Sequence, residues 1–234
     1  MRRVDSADIA VMTSLSVGRT LVTLAPEIVP PEIIARLTQA GVIVSAGHTA
    51  ASHATVVAAL RQGVTGFTHL FNAMPPLTNR EPGPIGAALD HRGSWCGLIV
   101  DLHHVAATSL RVAIAAKGWD RMMLVTDAMP TVGTELTEFT LLGQRVIRAG
   151  GRLTTEDGTL AGSDLDMASA VRNGVSALGL KLEQALAMAS LVPATFLRLD
   201  GELGRIAPGY RASLVLLDDR LEVAETWIDG VASA

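Results

Sequence analysis

The chain has 234 residues, 49% apolar and 18% charged, which is enough apolar material for a sizeable core and excludes a disordered chain. A net charge of −4 and 3% aromatic residues exclude non-specific nucleic-acid binding and a base-stacking platform, but leave room for an anionic small substrate. No apolar run reaches the ~18 residues of a membrane span, Met1-Arg2-Arg3-Val4-Asp5 has no apolar stretch behind it and does not read as a secretory signal, and a single cysteine, Cys96, excludes an internal disulfide, so a cytoplasmic location is expected.

Leu21-Val22-Thr23-Leu24-Ala25 reads as a buried strand. Pro30-Pro31 opens a helix with Ile33, Ile34 and Leu37 on its apolar face and Gly41 at its end. Val42-Ile43-Val44-Ser45 is the next strand, the helix after it carries Val56, Val57 and Leu60, and residues 64–68 form a third strand. A long loop rich in Pro and Gly is predicted over residues 75–90. Gly97-Leu98-Ile99-Val100 is a fourth strand, with Cys96 ahead of it. Thr108 is placed as the cap of a helix carrying Leu110, Ala113 and Ile114, closed by Gly118, and Met122-Met123-Leu124-Val125 is a fifth strand.

The pattern then changes. Phe139-Thr140-Leu141-Leu142, Arg145-Val146-Ile147 and Arg152-Leu153-Thr154 read as short antiparallel strands with Gly turns, an insertion over residues 136–160. Ser163 is placed as the cap of a helix with Leu165, Ala168, Val171, Val175 and Leu178 as its stripe, and Asp164 and Asp166 fall in its first turn, where acids favour the dipole. A further helix covers residues 182–190, and a short one starts at Pro193. Ala212-Ser213-Leu214-Val215-Leu216-Leu217 and Thr226-Trp227-Ile228-Asp229-Gly230 are β-like. The alternation predicts an α/β fold of the parallel (β/α)8 TIM type over residues 1–203, with the strands of a small β-sandwich domain at 204–234. Five barrel-type strands precede the insertion, fewer than a closed barrel of this type holds.

Four polar signatures end the apolar runs: Val44-Ser45-Ala46-Gly47-His48, Phe67-Thr68-His69-Leu70-Phe71-Asn72-Ala73-Met74, Val100-Asp101-Leu102-His103-His104 and Leu124-Val125-Thr126-Asp127-Ala128. A parallel barrel gathers its strand C-terminal ends at one mouth, where such folds do chemistry. His48 and His69 are therefore candidate ligands of a divalent ion, the alternative being a hydrogen-bonded histidine at each strand end. Asp127 is a candidate general base and acid, the alternative being a helix N-cap.

Taken together, Thr23-Leu24-Ala25-Pro26-Glu27, Ser45-Ala46-Gly47-His48-Thr49, Thr68-His69-Leu70-Phe71-Asn72-Ala73-Met74, Arg80-Glu81-Pro82-Gly83, His104-Val105, Val125-Thr126-Asp127-Ala128 and Ala161-Gly162-Ser163 resemble the N-acetylglucosamine-6-phosphate deacetylase family of the amidohydrolase superfamily, over residues 8–230. The resemblance implies a metal-dependent hydrolase that converts N-acetyl-D-glucosamine 6-phosphate to glucosamine 6-phosphate and acetate in amino-sugar catabolism. It implies His48 and His69 as metal ligands, zinc foremost, with iron or another divalent ion as alternatives. It implies Asp127 as the catalytic acid and base. Asn72, the backbone N–H of Ala73, and Arg80 would meet the phosphate, and His104 would hydrogen-bond the sugar or its phosphate. A homodimer is implied, and neither nucleic acid nor membrane is expected as a partner.

The family carries a His-Leu-Glu-Gly-Pro segment whose glutamate is a metal ligand, followed by a substrate-binding histidine. This chain starts downstream of both, and Glu27, in its Leu24-Ala25-Pro26 context, is not that glutamate. The expectation is a barrel incomplete at its N-terminus, weakly active or inactive by itself and prone to aggregate through exposed strand edges. Two alternatives stay open: an amidohydrolase acting on another N-acyl or cyclic amide, and a catalytically inactive remnant. Arg80 favours the phosphosugar. His53, His91 and His103 receive no role.

Overall fold

Apolar runs of four or five residues have no polar face to give to water, so they form a parallel sheet layered with helices; the run Leu21–Leu24, expected to be buried, is the exception, because it lies at the sheet edge with Leu21 and Thr23 exposed. The computed structural model describes residues 4–233; Met1, Arg2 and Arg3 at the N-terminus, and Ala234, lie outside the described residues. The order is α1 (Ser6–Met12), β1 (Leu21–Leu24), α2 (Pro31–Gln39), β2 (Ile43–Ala46), α3 (His53–Arg61), β3 (Val64–Phe67), α4 (Gly83–Asp90), β4 (Trp95–Ile99), α5 (Ala107–Lys117) and β5 (Met122–Val125). The five strands pair in sequence order, every neighbour parallel. Val44, Ala46, Phe67, Leu98 and Ile99 share one buried apolar cluster with Leu37, Val56, Leu110 and Ala113 of the flanking helices.

Beyond β5 the chain makes an antiparallel sheet of β6 (Glu138–Leu141), β7 (Gln144–Ala149), β8 (Arg152–Thr155) and β9 (Leu160–Ser163). The last residue of β9 returns to the parallel layer, since Ser163 bridges Ala128 in parallel. Three helices follow, α6 (Met167–Ser176), α7 (Leu182–Ala189) and α8 (Leu191–Phe196), then an antiparallel sheet of β10 (Leu214–Leu217), β11 (Val223–Ile228) and β12 (Val231–Ala232). Phe196 of α8 plugs the end where the strands begin, packed with Ile43, Met123 and Val192. Gly66 permits this, because a Cβ there would stand 2.6 Å from Phe196 Cζ.

Several local expectations are corrected. The loop predicted over 75–90 ends early, because α4 forms from Gly83; Gly83, Pro84 and Gly86 are poor helix formers, and the burial of Ile85, Ala87 and Ala88 overrides them. Thr108 does not cap α5, whose N-cap is Ala106; its hydroxyl accepts from Arg111 instead. Ser163 does not cap α6 but ends β9, and the cap is Asp166, which accepts from Ser169 N at 2.8 Å. Asp164 is not in that helix: it pairs with Arg148 at 2.6 Å and accepts from Thr131 Oγ1 at 2.8 Å, a better offer than a helix dipole. Cys96 lies inside β4, and complete burial pushes its thiol up to about 12. Neither α1, closed by an Asp5–Asp8 capping box, nor β9 was legible in the periodicity.

One buried cation ties α4 to α5. Lys117 is 2% exposed, and its Nζ donates to the carbonyls of Ala88 and His91 at 2.6 and 2.7 Å and to Ser94 Oγ at 3.1 Å. Burial pushes its pKa down. Lys117→Met keeps the stem but strands these acceptors, so a loss of about 1–3 kcal/mol is expected in urea unfolding at constant m-value. A loss below ~0.5 kcal/mol would show that water serves the acceptors equally well.

Candidate active site

A parallel strand hands the residues just past its end to the same rim of the sheet, and here one offset recurs. His48, His69, Asp101 and Asp127 each stand two residues beyond the last residue of β2, β3, β4 and β5. Three of them bend the chain in the left-handed region, His48 at φ 48°, His69 at 32° and Asp127 at 53°, with Ala73 at 51° close by. Such conformations cost roughly 1–3 kcal/mol each and persist where the surroundings enforce them. The enforcement is backbone pairing. Gly47 N donates to Leu24 O at 3.0 Å, Thr68 N to Ala46 O at 2.9 Å and Leu70 N to Gly97 O at 2.8 Å. Gly47 must lack a side chain, since a Cβ would stand 2.8 Å from both Thr23 Cγ2 and Thr68 Cβ.

The two imidazoles converge. His48 Nε2 and His69 Nε2 are 2.9 Å apart, with the rings edge-to-face at 4.7 Å. Burial pushes His69 below the ordinary imidazole range; its own backbone opposes that, the His48 ring adds to it, and the Asp127 carboxylate pulls back. His69 Nδ1 is buried with no hydrogen-bond partner among the described residues. This donor set suits a divalent ion: two imidazole nitrogens held near one tetrahedral ion at ~2.1 Å lie roughly 3.4 Å apart, and these already face each other. Among the described residues no group of three or more His, Cys, Asp or Glu side chains suited to an ion occurs, so this set offers two imidazole donors.

Ser163 frames Asp127 from the far side. Its N donates to Asp127 O at 2.9 Å, its Oγ donates to Thr126 O, and its carbonyl accepts from Met129 N at 3.0 Å. No helix follows Asp127, so it is not an N-cap. His104 is fixed by a residue the sequence reading missed. Asp101 Oδ2 meets His104 Nδ1 at 2.6 Å, and Asp101 Oδ1 accepts the backbone N–H of His103 and His104, both at 2.9 Å. Burial pushes the Asp101 carboxyl up, but the bonds from the His104 ring and from these two N–H groups outweigh it and hold the carboxyl below its ordinary range. The repeated two-residue offset was the available signal for Asp101.

Asn72 joins the group by donating Nδ2 to His69 O at 3.1 Å. Ala73 is exposed at the same turn, and Arg80 is exposed on the loop ahead of α4. Among the described residues, no hydrogen bond ties Arg80 to the others. Its neighbour Glu81 shapes that loop, accepting from His53 N at 2.8 Å and Gly83 N at 2.9 Å, which holds the carboxyl below its ordinary range. Glu27 accepts from Thr49 Oγ1 and from Ala50 N at 2.7 Å, and so orders the turn just past His48.

The His69 shift predicts a pH dependence. The folded protein keeps His69 neutral where the unfolded chain, near 6.5, takes a proton. Its contribution to stability is complete above pH 6.5 and is lost as pH falls toward the depressed folded value. Urea unfolding at pH 7.5 and 5.5 is therefore expected to show lower stability at the acid end, with a smaller drop in His69→Asn. An equal drop in both proteins would remove His69 as the cause.

The amidohydrolase family profile matches residues 18–232. An N-acetylgalactosamine-6-phosphate deacetylase of Shewanella sp. (strain ANA-3) is 47% identical over 213 residues, which are 91% of this chain and 54% of the relative. The crystal structure of N-acetylglucosamine-6-phosphate deacetylase from Pasteurella multocida superposes with a TM-score of 0.95 at 31% identity, over 100% of this chain and 61% of that one. An Asp-to-Ala mutant of the Mycobacterium smegmatis N-acetyl-D-glucosamine-6-phosphate deacetylase in complex with N-acetyl-D-glucosamine-6-phosphate superposes with a TM-score of 0.90 at 34% identity, over 99% of this chain and 62% of that one. The chain thus spans about half the length of the curated relatives it matches, and the parallel sheet is that of the TIM-type amidohydrolase barrel.

Proposed function

The chain belongs to the amidohydrolase family, and on that premise we propose that it carries the proton-transfer and metal-binding part of a deacetylase that converts N-acetyl-D-glucosamine 6-phosphate to glucosamine 6-phosphate and acetate. The observation that carries this reading is the convergence of His48 and His69 Nε2 at 2.9 Å, on the same rim of strand ends as Asp127. His48 and His69 would hold a divalent ion, zinc foremost, whose Lewis acidity polarises an amide carbonyl and makes water a better nucleophile. Asp127 takes a proton from the attacking water and returns it to the amine nitrogen, which cannot leave without one. Asp101 holds Nδ1 of His104, leaving Nε2 as that ring's polar atom for the sugar or its phosphate. Asn72, the Ala73 N–H and Arg80 complete the phosphate side; Arg80 binds through a planar fork that suits phosphate. The reading includes a homodimer, and a cytoplasmic location in keeping with the single free cysteine. No helix among the described residues is long and apolar enough to cross a membrane.

A second substrate reading has its own support. The 47% identical relative is named for N-acetylgalactosamine 6-phosphate, the C4 epimer. Calorimetric titration of the zinc-saturated protein with both epimers and with unphosphorylated N-acetylglucosamine tests both readings. The glucosamine ester is expected to bind at least about tenfold more tightly than the unphosphorylated sugar, since one charged bidentate contact is worth ~1.5–3 kcal/mol. Tighter binding of the galactosamine ester moves the assignment to that epimer. Equal binding with and without phosphate overturns the phosphosugar reading.

A further inference from the structure

His103 and Arg152 have no part in the chemistry above, yet they join two elements at the mouth. The backbone N–H of His103 shares Asp101 Oδ1 with that of His104. Its ring goes elsewhere: Nδ1 accepts from Arg152 Nε of β8, at 3.2 Å. Gly150 and Gly151, at φ 58° and 75°, make the turn between β7 and β8. A Cβ on Gly151 would stand 3.3 Å from His103 Nε2, so the bare glycine lets the hairpin lie against the ring. A guanidinium only donates, so the bond requires a bare Nδ1 on His103, with the proton on Nε2.

We infer that His103 and Arg152 form a clasp that fastens the β7–β8 hairpin to the loop between β4 and α5, and that through Asp101 the clasp holds His104 in place for the sugar phosphate. Both are positioning residues. The inference rests on the reading of His104 as a substrate contact. A break in the clasp frees the hairpin on one side and the Asp101–His104 turn on the other, so binding weakens while the proton transfer at Asp127 keeps its rate.

The test uses the full chain with Arg152→Leu, His103→Leu and His103→Asn, the last of which keeps an acceptor near the Nδ1 position. In wild-type protein, nitrogen NMR of the imidazoles is expected to show His103 fixed in the Nε2–H tautomer, and in Arg152→Leu as a mixture. Amide exchange at His103 and His104 is expected to accelerate roughly tenfold in both leucine variants, the scale of a coupled hydrogen-bonded pair, and to return toward wild type in His103→Asn. The KM for N-acetylglucosamine 6-phosphate should rise by a similar factor with kcat unchanged. Unchanged exchange at His103 and His104 in both leucine variants overturns the clasp, whatever the sugar does. Faster exchange with an unchanged KM overturns its role in positioning for substrate. A wild-type protein that ignores the sugar phosphate counts against the substrate reading, and the exchange rates then decide the clasp by themselves.

Discussion

Asp127→Asn is expected to lower kcat for acetate release by about 10²–10⁴-fold with KM nearly unchanged. Asparagine matches aspartate in shape and tolerates the left-handed backbone that Asp127 adopts at φ 53°. It preserves the frame that Ser163 builds around this turn through the carbonyls of Thr126 and Asp127. What it removes is the ability to take a proton from water and pass it to the amine. The effect should therefore fall on the chemical step, with unfolding midpoint and sugar-phosphate affinity held. A loss of less than tenfold would assign the proton transfer to another group, of which the Asp101–His104 pair is the nearest in kind.

The second large effect concerns metal. His48→Asn and His69→Asn each leave one imidazole where two converge. Replacing a residue that only hydrogen-bonds a metal ligand typically costs 10–100-fold in metal affinity, so loss of a ligand itself should exceed ~10-fold. Asparagine is chosen because alanine at φ 48° or 32° adds backbone strain unrelated to metal. In a thermal-shift titration, zinc at ~100 times its Kd stabilises the wild type by about 2.7 kcal/mol, and a tenfold weaker variant loses roughly half of that. Equal zinc stabilisation in both variants and the wild type would place the ion elsewhere.

The legible part of the fold is the part set by hydrophobic pattern. Leu21-Val22-Thr23-Leu24 and Met122-Met123-Leu124-Val125 are short aliphatic runs closed by polar turns, and the parallel sheet uses both. Helix α4 was hidden because Gly83, Pro84 and Gly86 speak for a loop, and only the burial of its apolar face decides otherwise. The caps of α5 and α6 depend on which acceptor a hydroxyl or carboxylate finds in three dimensions. Ser163 found the carbonyls around Asp127, and Asp164 found Arg148. At the candidate site the imidazoles and Asp127 were readable as polar residues past strand ends. Asp101 stands in sequence beside two histidines, the more conspicuous candidates, although it is Asp101 that shares the two-residue offset of His48, His69 and Asp127. The left-handed turns at His48, His69 and Asp127 carry only a weak sequence signal: His and Asp tolerate this backbone, but strand pairing is what enforces it at these positions.

Whether these strand ends form a deacetylase site for an N-acetylated sugar phosphate is read by following acetate and glucosamine 6-phosphate together from zinc-loaded protein given N-acetylglucosamine 6-phosphate. The two products are expected in equal amounts, released slowly because only two imidazole donors hold the ion among the described residues, abolished by chelation and cut at least about 100-fold by Asp127→Asn. A folded, zinc-binding protein that releases neither product, or releases them undiminished when Asp127 is replaced, would contradict the deacetylase reading.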